Sequence, residues 1–363
     1  MNDLNRFNSL IKALGLERRI FKILKRFNTF FFNEKLIKLN FSNLQLSSLP
    51  ESICKFEHLR KLYLDFNQLQ QLPQDIGNLK NLEYLSVASN SLSDLPESIF
   101  QLKNLKFLSL GRNFLTSLSD KIGNLQNLQT LDLIHNNLTF LPDSITELKN
   151  LNRLPLRSNK LKELPQKLGN MKGLSYLNLQ DNHLEVLPKS IEELEQLQRL
   201  DLRSNNLSKL PENVGKLKSL ERIELSINNL RKLPSSMQYL TNLNELSLYF
   251  NKLKILPNGI TKLKKLKILD LSKNQLTELP DDFDHLINLQ ELNLRSNQLQ
   301  VLPQSIWNLK HLEFLYIGQN GIKVLPEAVK RLENLQFLEL RGNKEMEFSF
   351  NIQDLATTIK ILK

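Results

Sequence analysis

Residues 59–81 read LRKLYLDFNQLQQLPQDIGNLKN and residues 82–104 read LEYLSVASNSLSDLPESIFQLKN; laid one over the other, they keep the same frame. Leu59, Leu62, Leu64, Asn67, Leu69, Leu72, Pro73, Ile76 and Leu79 become Leu82, Leu85, Val87, Asn90, Leu92, Leu95, Pro96, Ile99 and Leu102. The asparagine recurs every 23 residues without a slip, at Asn67, Asn90, Asn113, Asn136, Asn159, Asn182, Asn205, Asn228, Asn251, Asn274, Asn297, Asn320 and Asn343. Self-similarity at a fixed period of this size marks a chain of stacked, equivalent coils.

Within one unit, Leu62 and Leu64 share a face with period two while Tyr63 points the other way, which predicts a short strand. Stacked coils set strand beside strand in parallel and bury one face continuously. The chain must then turn inside the protein, where an amide or carbonyl without a partner costs roughly 1–3 kcal/mol. An Asn side chain carries an acceptor and two donors on a short stem, so the thirteen asparagines are expected to form a buried structural ladder. The first unit has Leu44 at this place, which predicts an atypical terminal turn.

Twelve of the thirteen prolines follow the last leucine of the frame directly, from Pro50 and Pro73 to Pro303 and Pro326, and there proline stops the strand and opens a short turn. Ser119 and Ser349 replace it in two units. Pro155 falls inside a strand and predicts a bulge or a missing ladder bond. Beyond the proline, Ile76, Leu79 and Leu82 recur every three residues, as in a 3-10 or single helical turn. Such turns are wider than strands, so the stack should curve with the sheet inside.

Over residues 36–343 the chain resembles leucine-rich repeat proteins, on the frame L-x-x-L-x-L-x-x-N-x-L-x-x-L-P-x-x-I-x-x-L. The resemblance implies an α/β solenoid, a leucine-rich repeat horseshoe with a parallel concave sheet and short helical or 3-10 convex turns. For function it implies a binding scaffold and leaves the ligand open. The uniform 23-residue form is similar to bacterial repeat proteins and to the intracellular Ras-associated scaffolds of eukaryotes. The latter likeness implies a small GTPase as one class of partner, although no residue here selects it.

We expect one solenoid of about 14 coils over 36–343, its strands running from Leu36, Leu39 and Phe41 to Leu335, Leu338 and Leu340. Residues 1–35 and 344–363 are expected to cap it, because the ends of a stack expose raw core. Leu4, Phe7, Leu10, Ile11 and Leu14 form one helical stripe, Gly15 interrupts it, and Ile20, Ile23, Leu24, Phe27 and Phe31 form a second. Opposite the second lie Arg18, Arg19, Lys22, Lys25 and Arg26. Capping is the favoured reading, and contact of residues 17–31 with an anionic membrane or nucleic acid is the alternative. Phe348, Ile352 and Leu355 stay in phase with Leu325, Val329 and Leu332, predicting a degraded last turn and a short helix that includes Ile359 and Leu362.

Lys and Arg number 49 against 38 acids, a net charge of +11. Residues 1–35 hold +5 of it, so the repeats are mildly basic, which biases them toward acidic partners more than toward nucleic acid. Cys54 is the only cysteine, which excludes disulfide-stapled caps and leaves a structural thiol. Charges break up Met1 to Phe32, so no signal-peptide core or membrane span is expected there. The expected compartment is cytoplasmic, with export by a signal-independent route left open.

His58, His135, His183, His285 and His311 are scattered over different coils without metal-ligand spacing. Gly111 and Gly318 stand alone, and neither a phosphate-cradling loop nor a G-x-S-x-G elbow occurs. We therefore expect no catalytic residue, metal or cofactor, and no enzyme.

The third, fifth, seventh and eighth positions of each unit leave the concave face toward solvent and are free to encode a partner. They carry Tyr63, Phe66, Tyr84 and Phe107 in coils two to four, and Arg153, Arg157, Arg199, Asp201, Arg203, Arg222 and Glu224 in coils six to nine. Tyr249, Phe250, Phe314, Tyr316 and Phe337 follow. Aromatics and arginines dominate binding hot spots, which predicts a protein partner. Against this stand cross-strand packing of the rings and neutralisation of the arginines by their own acids. Fourteen strands at roughly 4.8 Å give an arc of about 60 Å, room for a protein domain or a long peptide. Lys252, Lys254, Lys262, Lys264, Lys265, Lys267 and Lys273 crowd coils ten and eleven, mostly on turns, as solvent coverage.

Overall fold

The computed structural model describes residues 2–19, 29–356 and 359–363, in two compact units, Met1–Asn178 and Leu179–Lys363. The first opens with helix α1 (Asp3–Ala13), capped by Asn2, whose side-chain oxygen accepts the Asn5 amide at 3.0 Å. Its stripe buries Phe7, Leu10 and Ile11, and Asp3 is buried with them to accept the Leu36 amide at 2.9 Å. Strands β1 (Phe30–Phe32) and β2 (Lys35–Asn40) form an antiparallel hairpin through Asn33 and Glu34, both at positive φ. Six three-residue strands follow in parallel: β3 (Lys61–Tyr63), β4 (Tyr84–Ser86), β5 (Phe107–Ser109), β6 (Thr130–Asp132), β7 (Arg153–Pro155) and β8 (Tyr176–Asn178). Leu39, Leu62, Leu85 and Leu108 pair in one register row and are buried.

The second unit repeats this with β9 (Arg199–Asp201), β10 (Arg222–Glu224), β11 (Glu245–Ser247), β12 (Ile268–Asp270), β13 (Glu291–Asn293) and β14 (Phe314–Tyr316). Then come β15 (Val324–Leu325), β16 (Phe337–Glu339), β17 (Glu347–Phe348), α2 (Gln353–Ala356) and β18 (Lys360–Leu362). β16 continues the parallel ladder from β14, β18 pairs with β16, and β15 and β17 form a separate two-stranded edge. Between strands, proline supplies an extended residue ahead of a 3-10 turn: Pro96 stands at φ −65° and ψ 137° before Glu97–Gln101. Where Ser119 replaces proline, its hydroxyl caps the next turn by accepting the Lys121 amide at 3.3 Å.

The repeating asparagines bind coil to coil. Asn90 accepts the Leu69 amide of the preceding coil at 3.0 Å and donates to the carbonyls of Leu64 at 2.9 Å and Val87 at 3.2 Å. Asn205 does the same for the Leu184 amide at 3.0 Å and the carbonyls of Leu179 at 2.9 Å and Leu202 at 3.1 Å. To aim the side chain inward, the residue before it turns left-handed: Phe66, Ser89, Arg112, Ile227 and Phe250 all stand at φ 56°. Such a backbone costs a non-glycine residue roughly 1–2 kcal/mol, less than the bonds it makes available. In the first coil Leu44 and Leu46 both donate to Asn67 at 3.0 Å, so a neighbour's asparagine serves a turn that lacks its own.

A second asparagine row escaped the sequence reading. Asn81, Asn104, Asn127 and Asn150 donate at 2.8 Å to the carbonyls of Glu57, Lys80, Lys103 and Gln126, one coil back. Asn242, Asn288 and Asn334 do so in the second unit. At Pro155 the β6–β7 register shrinks to the one pair Thr130↔Arg153, where β5 and β6 share three, because proline has no amide to donate.

Two expectations at the ends need correction. Phe31 lies in β1, not on a helix; β1 covers the edge of β2, and the Phe31 ring meets Phe7 edge-on at 5.5 Å. The rest of that stripe, Ile20, Ile23, Leu24 and Phe27, and the cations Lys22, Lys25 and Arg26, lie outside the described residues. At the other end, Ile359 lies beyond α2 and Leu362 is in β18, because Lys360–Leu362 pairs with the edge of β16 and the Leu340 amide donates to the Leu362 carbonyl at 2.7 Å. An unpaired strand edge is a stronger demand than one more helical turn.

Replacing Asn205 by Leu strips partners from one buried amide and two carbonyls, and should lower Tm by about 5 °C or more in calorimetry; an unchanged Tm contradicts the bridge. Gly215 is packed so closely on the next coil that an added Cβ would collide with the Ser236 carbonyl oxygen. Gly215→Ala should therefore lower Tm even though alanine favours helical turns, and a raised Tm would refute the contact.

Candidate functional site

The first and third residues of each inner strand project from the sheet on the side away from the leucine core. In the first unit this face carries an aromatic stack. Tyr84 and Phe107, paired in register, lie parallel to within 1° at 4.2 Å, and Tyr63 joins at 4.8 Å, tilted by 35°. Lys38 stands 5.4 Å from the Tyr63 ring. Phe66 stands apart at the left-handed turn and is 63% exposed. The three stacked rings are half-buried, so cross-strand packing uses their faces and leaves their edges to solvent.

Burial pushes the Tyr84 phenol up to about 12, and Tyr63, Asp65 and Asp132 add to it; Tyr63 is raised by burial and by Asp65. Arg153 and Arg157 are exposed, and the Arg153 guanidinium lies 4.3 Å over the ring of Tyr176. Tyr176 belongs to this face and was passed over in the sequence, although it occupies the same third position as Tyr84 and Phe107.

The second unit carries Arg199, Asp201, Arg203, Arg222 and Glu224 on its own sheet face. Here the acids neutralise: Arg203 meets Asp201 at 3.4 Å, and Arg222 meets Glu224 at 2.9 Å and Glu245 at 2.8 Å. Of the seven residues read together in coils six to nine, Arg153 and Arg157 lie in the first unit and the other five in the second. Tyr249 and Phe250 are neighbours at 5.9 Å, with Lys273 beside both rings. Tyr316 meets Phe337 at 5.2 Å, and Phe314 pairs in register with Phe337. Burial, then Glu291 and Glu339, raise the Tyr316 phenol, while burial and Asp270 raise the Glu291 carboxyl. The sequence reading did not single out these carboxylates, because spacing alone does not show that they lie beside the Tyr316 ring.

Lys262 and Lys265 reach back one coil to Gln238 and Asn242, at 2.9 and 2.7 Å. Burial, and then the Glu51 charge, push the thiol of buried Cys54 up to about 12, which disfavours the nucleophilic thiolate. Among the described residues, no cluster of His, Cys, Asp or Glu could hold a metal ion and no helix is long and apolar enough to cross a membrane. A hollow of about 350 Å³ in the second unit is lined by Ile255, Leu256, Pro280 and Asp282, and one of about 280 Å³ by Val186, Leu187, Pro211 and Asn213.

Equivalent coils with a fixed leucine core and a freely varying sheet face define a solenoid of the repeat-scaffold class. The chain belongs to the leucine-rich repeat family: one model, of a leucine-rich repeat region, matches residues 35–114, 104–178 and 167–256, and a second, of the leucine rich repeat, matches 241–299 and 287–344. No curated protein matches it. Among solved structures it is similar to a leucine-rich repeat protein of Leptospira interrogans, at 34% identity and a TM-score of 0.72 over 89% of this chain and 94% of that one. The plant peptide hormone receptor RGFR1 in complex with RGF2 matches at 32% identity and 0.73, over 86% of this chain and 51% of the receptor, so this chain spans about half the receptor's length. An internalin of Listeria monocytogenes shares the fold at 24% identity and 0.73, over 83% of this chain and 86% of that one.

The Tyr84 phenol has a folded pKa above its unfolded value of 10.0, so its contribution to stability is complete below pH 10 and is lost as pH rises toward about 12. Over that window the Tm of the wild type should fall more steeply than that of Tyr84→Phe; parallel curves would show that Tyr84 is not held neutral by the stack.

Proposed function

We propose that this protein is a non-enzymatic interaction scaffold that holds a protein partner across the sheet face, with residues 1–35 and 344–363 covering the ends of the repeats. The observation that carries this reading is the stack of Tyr63, Tyr84 and Phe107: three large rings held at positions that the leucine core does not need. Rings fixed by their neighbours lose little conformational freedom when a partner covers them, the property that makes aromatic anchors into hot spots. Related repeat structures solved with their ligands, the plant peptide hormone receptor with RGF2 and PEPR1 with AtPEP1, support a peptide or protein ligand. The likeness to the Leptospira protein supports a bacterial-type repeat; intracellular signalling or host–microbe contact is the setting we propose for it. Tyr249, Phe250, Phe314 and Tyr316 would give the second unit a further contact area. The alternative, an anionic membrane or nucleic-acid surface met by residues 17–31, falls largely on residues 20–28, which lie outside the described residues.

Immobilised wild-type protein should capture its partner from a lysate of the cells that make it, identified by mass spectrometry. Tyr84→Ala with Phe107→Ala should reduce that capture at least about tenfold, the loss of a central hot spot, at unchanged circular dichroism. Equal capture by the double variant removes the aromatic site from the account.

A further inference from the structure

On the first unit's sheet face the charges do not cancel. The variable positions from the first coil to Arg153 carry Lys38, Lys61, Arg112 and Arg153 against two acids, Asp65 and Asp132. Both acids are turned into the wall. Asp65 accepts the Ser86 hydroxyl and, at 2.9 Å, the Ala88 amide; Asp132 accepts the Ser109 hydroxyl at 2.9 Å and the Ile134 amide at 3.1 Å. The cations are placed differently. Lys61, Arg112 and Arg153 are exposed, and among the described residues none of the three has a carboxylate within salt-bridge distance. The second unit shows the contrast, since there Arg203 and Arg222 are each paired with an acid.

Resting on the scaffold reading above, we infer that the partner of this face is an acidic, extended peptide segment. Its apolar side chains lie against Tyr63, Tyr84 and Phe107, and its carboxylates meet Lys61, Arg112 and Arg153. From β3 to β7 the strands span roughly 19 Å, the reach of about six extended residues, so one short segment can touch rings and cations together. Carboxylates bound here gain the hydrogen-bonding fork of two arginines and lose only exposed water. Nucleic acid suits the face less well. Base stacking needs an open ring face, and the Tyr84 and Phe107 faces are closed on each other at 4.2 Å.

The test is selection from a random peptide display library on the full chain, followed by fluorescence anisotropy of the enriched peptides. Enriched sequences should be net negative with interleaved apolar residues, and their affinity should fall as salt rises. Lys61→Glu with Arg112→Glu should weaken binding at least about tenfold at unchanged Tm, and Tyr84→Ala with Phe107→Ala should weaken it comparably. Neutral or cationic winners, no enrichment, indifference to the charge reversal, or tighter binding of an oligothymidylate probe each overturn the inference. Failure of the two readings is separable: if the aromatic double variant loses its cellular partner while the charge-reversal variant keeps it, the scaffold stands and the acidic partner falls.

Discussion

Everything in this molecule depends on how a buried turn finds hydrogen-bond partners. At the end of each strand the backbone leaves the sheet inside the protein, and its free amides and carbonyls face other turns instead of water. The asparagine of the following coil answers that demand, with its oxygen on an amide of the coil before and its nitrogen on carbonyls of both. One residue therefore fixes the turn and the spacing between coils together.

The function follows from what this constraint leaves alone. Leucines fill the interior, the turn belongs to asparagine, and proline with its 3-10 turn closes the far side. Only a few positions per coil escape, and they project together from the sheet, so variation among them accumulates on one surface. The two units use that freedom differently. In the first, rings stack on rings and the carboxylates are absorbed by serine hydroxyls and backbone amides, so cations dominate. In the second, the carboxylates stay with the arginines, so the surface is nearly self-neutralised.

Most of the fold was legible in the sequence because the repeat supplies the same evidence many times over: leucines at two-residue spacing give the strand, and equal coils give parallel neighbours. Legibility failed where the repeat stops. Phe31 and Leu362 looked helical from periodicity, yet each joins a strand, because β2 and β16 have open edges that no coil fills. The row from Asn81 to Asn150 was missed for the opposite reason: it sits on the exposed side, where polar residues are unremarkable until their bonds are seen. For the candidate site, positions were legible in the repeat and pairing was not. That Tyr84 stacks on Phe107 while Arg222 crosses to Glu245 depends on side-chain direction between strands, which spacing alone does not encode.

The amides of Leu184, Leu207 and Leu230 each donate to an asparagine oxygen one coil ahead, at 3.0 Å, and to no backbone carbonyl of a strand ladder. Native-state hydrogen exchange at these three amides is therefore the most direct test. Exchange as slow as that of the neighbouring strand amides is the result this account predicts, because opening any one requires coils to part. Exchange at the rate of an exposed loop would contradict it, and would mean that the asparagines accompany the stack without holding it together.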